Sequence, residues 1–179
     1  MCRIRNAELS DVDTLMEIQA TSLPERYTRA VFEKLIEQTY VHVCAGVITG
    51  YIQSGISKKV DEICEPYAFT IIDRKRVYII SSLAVREQYR NKGIGSQLLA
   101  TIHRISKNPS VPWYPHVILQ VRESNPAGKL YDRYGFKTLG ILDSYYPNPA
   151  GDGDREDGIA KVLDVTMREP LLTDPICID

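Results

Sequence analysis

Apolar residues recur at helical spacing early in the chain. In SDVDTLMEIQATS, Val12, Leu15, Met16 and Ile18 fall on one face, with Ser10 or Asp11 placed as an N-cap. TRAVFEKLIEQ repeats the pattern with Val31, Phe32, Leu35 and Ile36, after an interruption at Pro24. CRIRNA before the first helix reads as a short strand. YVHVCAGVITGYIQSGI reads as two strands around a tight turn near Gly46 to Gly50. Residues 57–70 carry no clear period and are expected to loop. IIDRKRVYIISSLAV is dense in β-branched residues and predicts a long strand or a strand pair. A helix follows over 94–107, and the prolines of 108–115 predict a loop. HVILQV is expected as a buried strand, PAGKLYDRY as a short helix and FKTLGILDSY as a strand. YPNPAGDGDREDG reads as a polar loop, and IAKVLDVTM as a last strand.

Early strands run as a hairpin, while later ones alternate with helices. That order predicts one mixed sheet covered by helices. No repeat or linker divides it, so one domain is expected over 1–167. A loosely held tail, 168–179, contains Pro170 and Pro175.

The 179 residues carry 22 Lys plus Arg against 23 Asp plus Glu. So balanced a charge argues against nucleic acid or an anionic membrane as a general partner. No apolar stretch approaches the roughly 20 residues of a membrane span, and the first residues lack the apolar run of a signal peptide. Cys2, Cys44, Cys64 and Cys177 are scattered, which fits idle thiols in a reducing, cytoplasmic setting, and no metal cluster is evident.

Chemistry concentrates in REQYRNKGIGSQLLATI. A strand ending near Val85 leads through Arg90, Asn91, Lys92, Gly93, Ile94, Gly95 and Ser96 into a helix. Bare backbone amides at a helix N-terminus attract anions, and glycine lets a ligand come close to the backbone. Arg90 and Lys92 add positive charge, so the loop suits a pyrophosphate. The dinucleotide pattern G-x-G-x-x-G fails at Leu98, and no Gly-Lys-Ser/Thr occurs, which counts against NAD and ATP.

SSLAVREQYRNKGIGSQLL resembles the acetyl-CoA motif of the GNAT acetyltransferases, R/Q-x-x-G-x-G/A after a strand. VRESNPAGKLYDRYGF resembles their second hallmark, an Asn, a short helix with Tyr, and then Gly-Phe. The resemblance implies the GNAT fold: a mixed, mostly antiparallel sheet of about seven strands flanked by about four helices. It implies acetyl-CoA as co-substrate. The backbone of Leu83, Ala84 and Val85 would pair with the pantetheine arm, and the amides from Arg90 to Ser96 would hold the pyrophosphate. Asn125 would contact the cofactor, and Tyr131 would stand near the sulfur and protonate the departing thiolate. Gly128 departs mildly from the Ala common there.

LPERY resembles a segment of the N-terminal (Nα) protein acetyltransferases, and SYYPNP resembles their Tyr-Tyr loop. In that family the two stretches form the walls of a peptide groove. RVYIISSLAV resembles their fourth strand, with Tyr78 where several members carry a catalytic Tyr, and the long segment before it resembles the Golgi-associated branch. The resemblance implies a protein or peptide N-terminus as substrate, with an auxiliary subunit and the ribosome as further partners. Leu23, Pro24, Glu25, Tyr27, Tyr145 and Tyr146 become the substrate-binding residues. Tyrosines supply rigid apolar walls with polar tips. One departure stands out. Relatives often pair the Tyr with a His on the next strand, and here the matching residue is Gln120, which takes no proton. His116, on the same strand, lies roughly 13 Å away. Direct attack by an α-amine is expected, with Tyr78, through water, or Glu25 collecting the proton. A lysine or small-amine acetyltransferase is the alternative enzyme. The non-enzymatic alternative is an acyl-CoA-binding module docked on an auxiliary subunit without turnover.

Overall fold

Residues 2–6 form a strand in which Ile4 alone is fully buried. In the computed structural model this strand, β1 (Cys2–Asn6), pairs antiparallel with β2 (Thr39–Cys44). The chain turns at Ala45 and Gly46, both with positive φ (49° and 80°), and returns antiparallel as β3 (Val47–Ser57). The turn thus sits at the start of the expected Gly46–Gly50 stretch, and Gly50 lies inside β3. The structure describes residues 1–57, 77–107, 116–148, 151 and 153–166, together with the backbone of 177–178. The expected loop at 108–115, nearly all of that at 57–70 and most of the tail lie outside them.

Two units emerge, Met1–Ser54 with Ser81–Ile102 and Leu171–Asp179, and Gly55–Ile80 with His103–Pro170. Strand β4 (Val77–Val85) gives its first four residues to the second and the rest to the first.

In the first unit the strands run β8 (Cys177–Ile178), β1, β2, β3 and then the end of β4. Helix α1 (Val12–Ser22) buries Val12, Leu15 and Ile18, and α2 (Arg29–Lys34) buries Phe32. These pack with Val41, Val43, Ile48, Tyr51 and Ala84 into one core. Asp11 stands at the α1 N-cap position, yet its carboxylate serves the preceding turn. Oδ2 accepts from Glu8 N at 2.8 Å, and Arg5 forks onto both oxygens at 2.7 and 3.0 Å. Helix α2 ends early, at Lys34, and a 3-10 turn at Ile36–Gln38 replaces its expected last turn.

The pairing of Cys2 opposite Cys44 corrects the expectation of idle thiols, because the two sulfurs form a disulfide. The tail is corrected too. Strand β8 (Cys177–Ile178) pairs parallel with Arg3 and Ile4, so these two residues are held.

In the second unit the order is the start of β4, then β5 (His116–Arg122), β7 (Glu156–Asp164) and β6 (Lys137–Tyr146). β4 and β5 are parallel, and β7 is antiparallel to both its neighbours. Val77, Ile79, Ile118, Leu139 and Val162 pack together on one face. Strand β7 begins at Glu156, earlier than the apolar pattern predicts, because its first residues pair with Tyr146 and Leu142 of β6. Helix α3 (Ile94–Ser106) follows the glycines and belongs to the first unit as far as Ile102, and α4 (Gly128–Tyr134) of the second unit ends on Gly135 at φ 106°. Among the described residues there are eight strands, one of only two residues, and four α-helices, in a mostly antiparallel pattern that agrees with the expected fold.

Candidate active site

The basic loop is built as its sequence requires. Asn91 and Gly93 both adopt positive φ (59° and 78°), which lets the chain turn from a 3-10 turn at Glu87–Tyr89 into α3. Gln97 N donates to Gly93 O at 3.0 Å, the opening bond of the helix. The amides of Ile94, Gly95 and Ser96 precede it and have no place in the helical ladder, so they point their donors outward. Arg90 is less available than its charge suggests, because its Nε donates to Val85 O at 3.0 Å. Lys92 Nζ lies 5.4 Å from the centroid of the Tyr89 ring.

The end of β4 is pinned beside this loop. Arg86 N and Nε donate to Thr49 O and Ile48 O at 2.9 and 3.0 Å, and its guanidinium forks onto Glu17 at 3.0 and 3.1 Å. Gly50 makes the fit possible, since a Cβ there would stand 2.8 Å from Ala84 O. Leu83–Val85 thus emerge at a fixed place.

LPERY follows α1 in the same unit. Leu23 N closes the helix on Gln19 O. The buried Gln19 side chain then brackets Tyr27, accepting from its N–H at 3.0 Å and donating to its carbonyl at 3.2 Å. Tyr27 OH donates to Ser81 O of β4 at 3.1 Å, and its ring meets Phe32 edge-on. Leu23, Glu25 and Tyr27 are half-buried and Pro24 is exposed, so the segment forms a held wall.

In the second unit Asn125 shapes the turn into α4. Its Oδ1 accepts from Ala127 N at 2.9 Å, and its carbonyl accepts from Gly128 N. The carboxamide NH2 remains as the donor it can offer a ligand. Tyr131 is buried against Phe136, and burial pushes its phenol up to about 12. Next to it, Asp132 is gripped by the buried Lys161 of β7 at 2.6 Å.

The tyrosine pair sits at the end of β6, where Ser144 has φ 49° and the register with β7 slips. Asp157 accepts from Ser144 N, and Arg155 donates to the carbonyls of Ser144 and Tyr145. The two rings meet edge-on at 4.9 Å. Strand β5 supports both from one face. Gln120 Oε1 accepts from Tyr145 OH at 2.8 Å, and the Arg122 guanidinium lies 4.7 Å from the Tyr146 ring. Arg122 also donates to Glu156 and to Pro147 O, at 2.9 and 2.8 Å. Gly158 leaves room for the pair, as a Cβ there would lie 3.2 Å from Tyr146.

Tyr78 does not share this arrangement. It pairs with Val117, so it stands on the Val117 face of the sheet, whereas Gln120 lies on the Ile118 face. The paired β4 residues on the Gln120 face are Val77 and Ile79. Tyr78 and Gln120 therefore stand on opposite faces of the sheet.

A strand, a glycine turn with outward amides and a 13-residue helix, followed by Asn125 and the Tyr131 helix, is an arrangement shared with known proteins. Residues 37–138 match the Acetyltransferase (GNAT) domain family. The chain belongs to the GNAT acetyltransferases. An N-alpha-acetyltransferase of Sulfurisphaera tokodaii is 36% identical over 149 residues, 80% of this chain and 85% of that protein. The ribosomal-protein-S18-alanine N-acetyltransferase of Escherichia coli superposes with a TM-score of 0.72 at 21% identity, covering 97% and 100% of the two chains. Arabidopsis thaliana NAA60, solved with acetyl-CoA, gives 0.75 at 23% identity over 92% and 99%.

As a GNAT acetyltransferase the protein is an enzyme that transfers acetyl from acetyl-CoA. The outward amides of Ile94–Ser96 fit a diphosphate, which asks for donors, and glycine at 93 and 95 lets the backbone come close to one. Gln19, Glu156 and Lys161 touch the functional segments from outside the quoted motifs, while Arg86 and Arg122 lie within them at positions the motif patterns do not specify. Only the charge-rich run Arg155–Gly158 before an apolar strand hinted that a bend needs anchoring there.

Proposed function

We propose that this GNAT enzyme acetylates the α-amino group of protein N-termini, with residues 1–167 as its catalytic domain, working in the cytoplasm. The observation that carries the reading is the tyrosine pair. Tyr145 and Tyr146 are fixed by Gln120, Arg122 and a bulge, so they offer a rigid aromatic wall with a phenol at its rim. Because Tyr145 gives its proton to Gln120, its oxygen turns lone pairs outward and can accept from a peptide N–H. Leu23, Pro24, Glu25 and Tyr27 form a second held segment that suits a first side chain. The N-alpha-acetyltransferase relative supports the same acceptor class.

Bound acetyl-CoA supplies an activated thioester. The amides of Arg90–Ser96 and the Asn125 NH2 orient it, and a backbone N–H near Val85 steadies the carbonyl oxygen. The amine nitrogen bonds to the acetyl carbon, the carbon–sulfur bond breaks, and the amine proton leaves. An α-amine has a pKa near 8, so about a tenth is neutral at pH 7, while a lysine is neutral a few times in ten thousand. A weak acceptor therefore suffices, and Glu25, with water, fills that role. Tyr78, turned to the other face of its strand, frames the sheet. Tyr131 keeps its proton, with a phenol up at about 12, and so steadies the leaving sulfur as a hydrogen-bond donor. An auxiliary subunit at the ribosome would bring nascent chains to this wall.

Peptides with free and with blocked N-termini, each containing an internal lysine, test the reading. Acetyl should appear on the free N-terminus, and blocking should abolish transfer. Transfer to the lysine of a blocked peptide at an equal rate would refute it. Glu25→Gln should lower turnover, and Tyr78→Phe should leave it nearly intact.

A further inference from the structure

Away from the segments assigned to acetyl transfer, one group combines soft ligands with burial. Cys2 faces Cys44 across β1 and β2, and His42 stands two residues before Cys44. Strand alternation places His42 and Cys44 on one face, and cross-strand pairing adds Cys2. The ligating atoms of all three lie within 4.8 Å of one another. His42 is buried, Cys44 half-buried and Cys2 exposed, so solvent reaches the group from the Cys2 side. The imidazole is already positioned, with Nδ1 2.6 Å from Thr49 Oγ1 and Nε2 3.1 Å from Gln97 Oε1.

We propose that, as the dithiol, this group binds one borderline-soft cation of the Zn2+ kind, through Cys2 Sγ, Cys44 Sγ and one His42 nitrogen, with solvent as the fourth ligand. Two thiolates and an imidazole are the donors such a cation prefers. Bonds of about 2.3 Å to each sulfur in a tetrahedron set the sulfurs roughly 3.8 Å apart, so they must move apart from their bonded positions once the disulfide is reduced. Ligation through Nε2 exchanges the longer Gln97 contact and keeps the shorter one to Thr49, which then orients the ring. The disulfide is the oxidised form of the same site. A dithiol reductant breaks the sulfur–sulfur bond by supplying two electrons and two protons and departs as its own disulfide. The cation then displaces both thiol protons. The reduced form is the one a cytoplasmic setting favours.

The test uses the full chain carrying Cys64→Ser and Cys177→Ser, reduced and desalted under argon, then titrated with Zn2+ against a chromophoric chelator. One equivalent should bind with a Kd below about 1 µM. The disulfide form, Cys2→Ser and Cys44→Ser should each bind about a hundred-fold more weakly, and His42→Gln about ten-fold more weakly. X-ray absorption at the zinc edge needs no ligand variant and should count two sulfurs. Lack of binding by the reduced chain, unchanged affinity in the disulfide form or in any of the three variants, or fewer than two sulfurs at the metal would overturn the site. None of these readouts uses acetyl transfer, so they stand apart from the proposed function.

Discussion

At the residue scale, Tyr131 illustrates how environment narrows a side chain's chemistry. A phenol raised to about 12 by burial is a poor source of a whole proton near neutrality and a good hydrogen-bond donor. Tyr131→Phe should therefore lower kcat on the order of ten-fold, the value of one hydrogen bond, and leave the KM for peptide nearly unchanged. A loss of a thousand-fold would instead indicate full proton transfer in the rate-limiting step. Tyr131 and Asn125 stand out in the sequence because an Asn, a short helix with Tyr and then Gly-Phe form one contiguous pattern. Gln120 was readable only as a departure. Its bond to Tyr145 joins positions 25 residues apart, a distance no local pattern spans.

At the element scale, strand β4 shows both the reach and the limit of periodicity. Its β-branched run announces a strand, and Val85 marks its end. Yet which residues share a face with Gln120 depends on register, and one residue separates Tyr78 on one face from Ile79 on the other. Gly50 carries a similar hidden constraint, since the sequence shows a glycine near a turn and the structure shows a β3 backbone pressed against Ala84 O. Gly50→Ala must push β3 from β4 at a cost of about 1–3 kcal/mol. For a chain of this size that is roughly 2–10 °C in Tm. The same displacement moves Leu83–Val85, so the KM for acetyl-CoA should rise in parallel. An unchanged Tm by calorimetry would contradict the close approach.

At the scale of the whole molecule, the order of strands and helices and the glycine turn were legible, because burial and ligand chemistry both leave short-range marks. The anchoring carboxylates were not, since their partners come from distant stretches. They nevertheless shape acid stability. Hydrogen bonds from Ser124, then Arg122, hold Glu156 down to about 2 from its ordinary 4.5, and Arg5 lowers Asp11. A depressed carboxylate stabilises the fold above its unfolded value and loses that effect as pH falls through the folded one. For Glu156 the window runs from about 4.5 down to about 2. Urea midpoints of Glu156→Gln should lie below those of the wild type at pH 7 and converge with them towards the acid end of this window. Midpoints that differ equally at every pH would contradict the linkage. The bond between Cys2 and Cys44, 42 residues apart, has a topological consequence as well. It closes β1, α1, LPERY, α2 and β2 into a covalent ring. A protease that nicks the chain at exposed Arg26 would leave both pieces tethered, and a gel should resolve two fragments only after reductant is added.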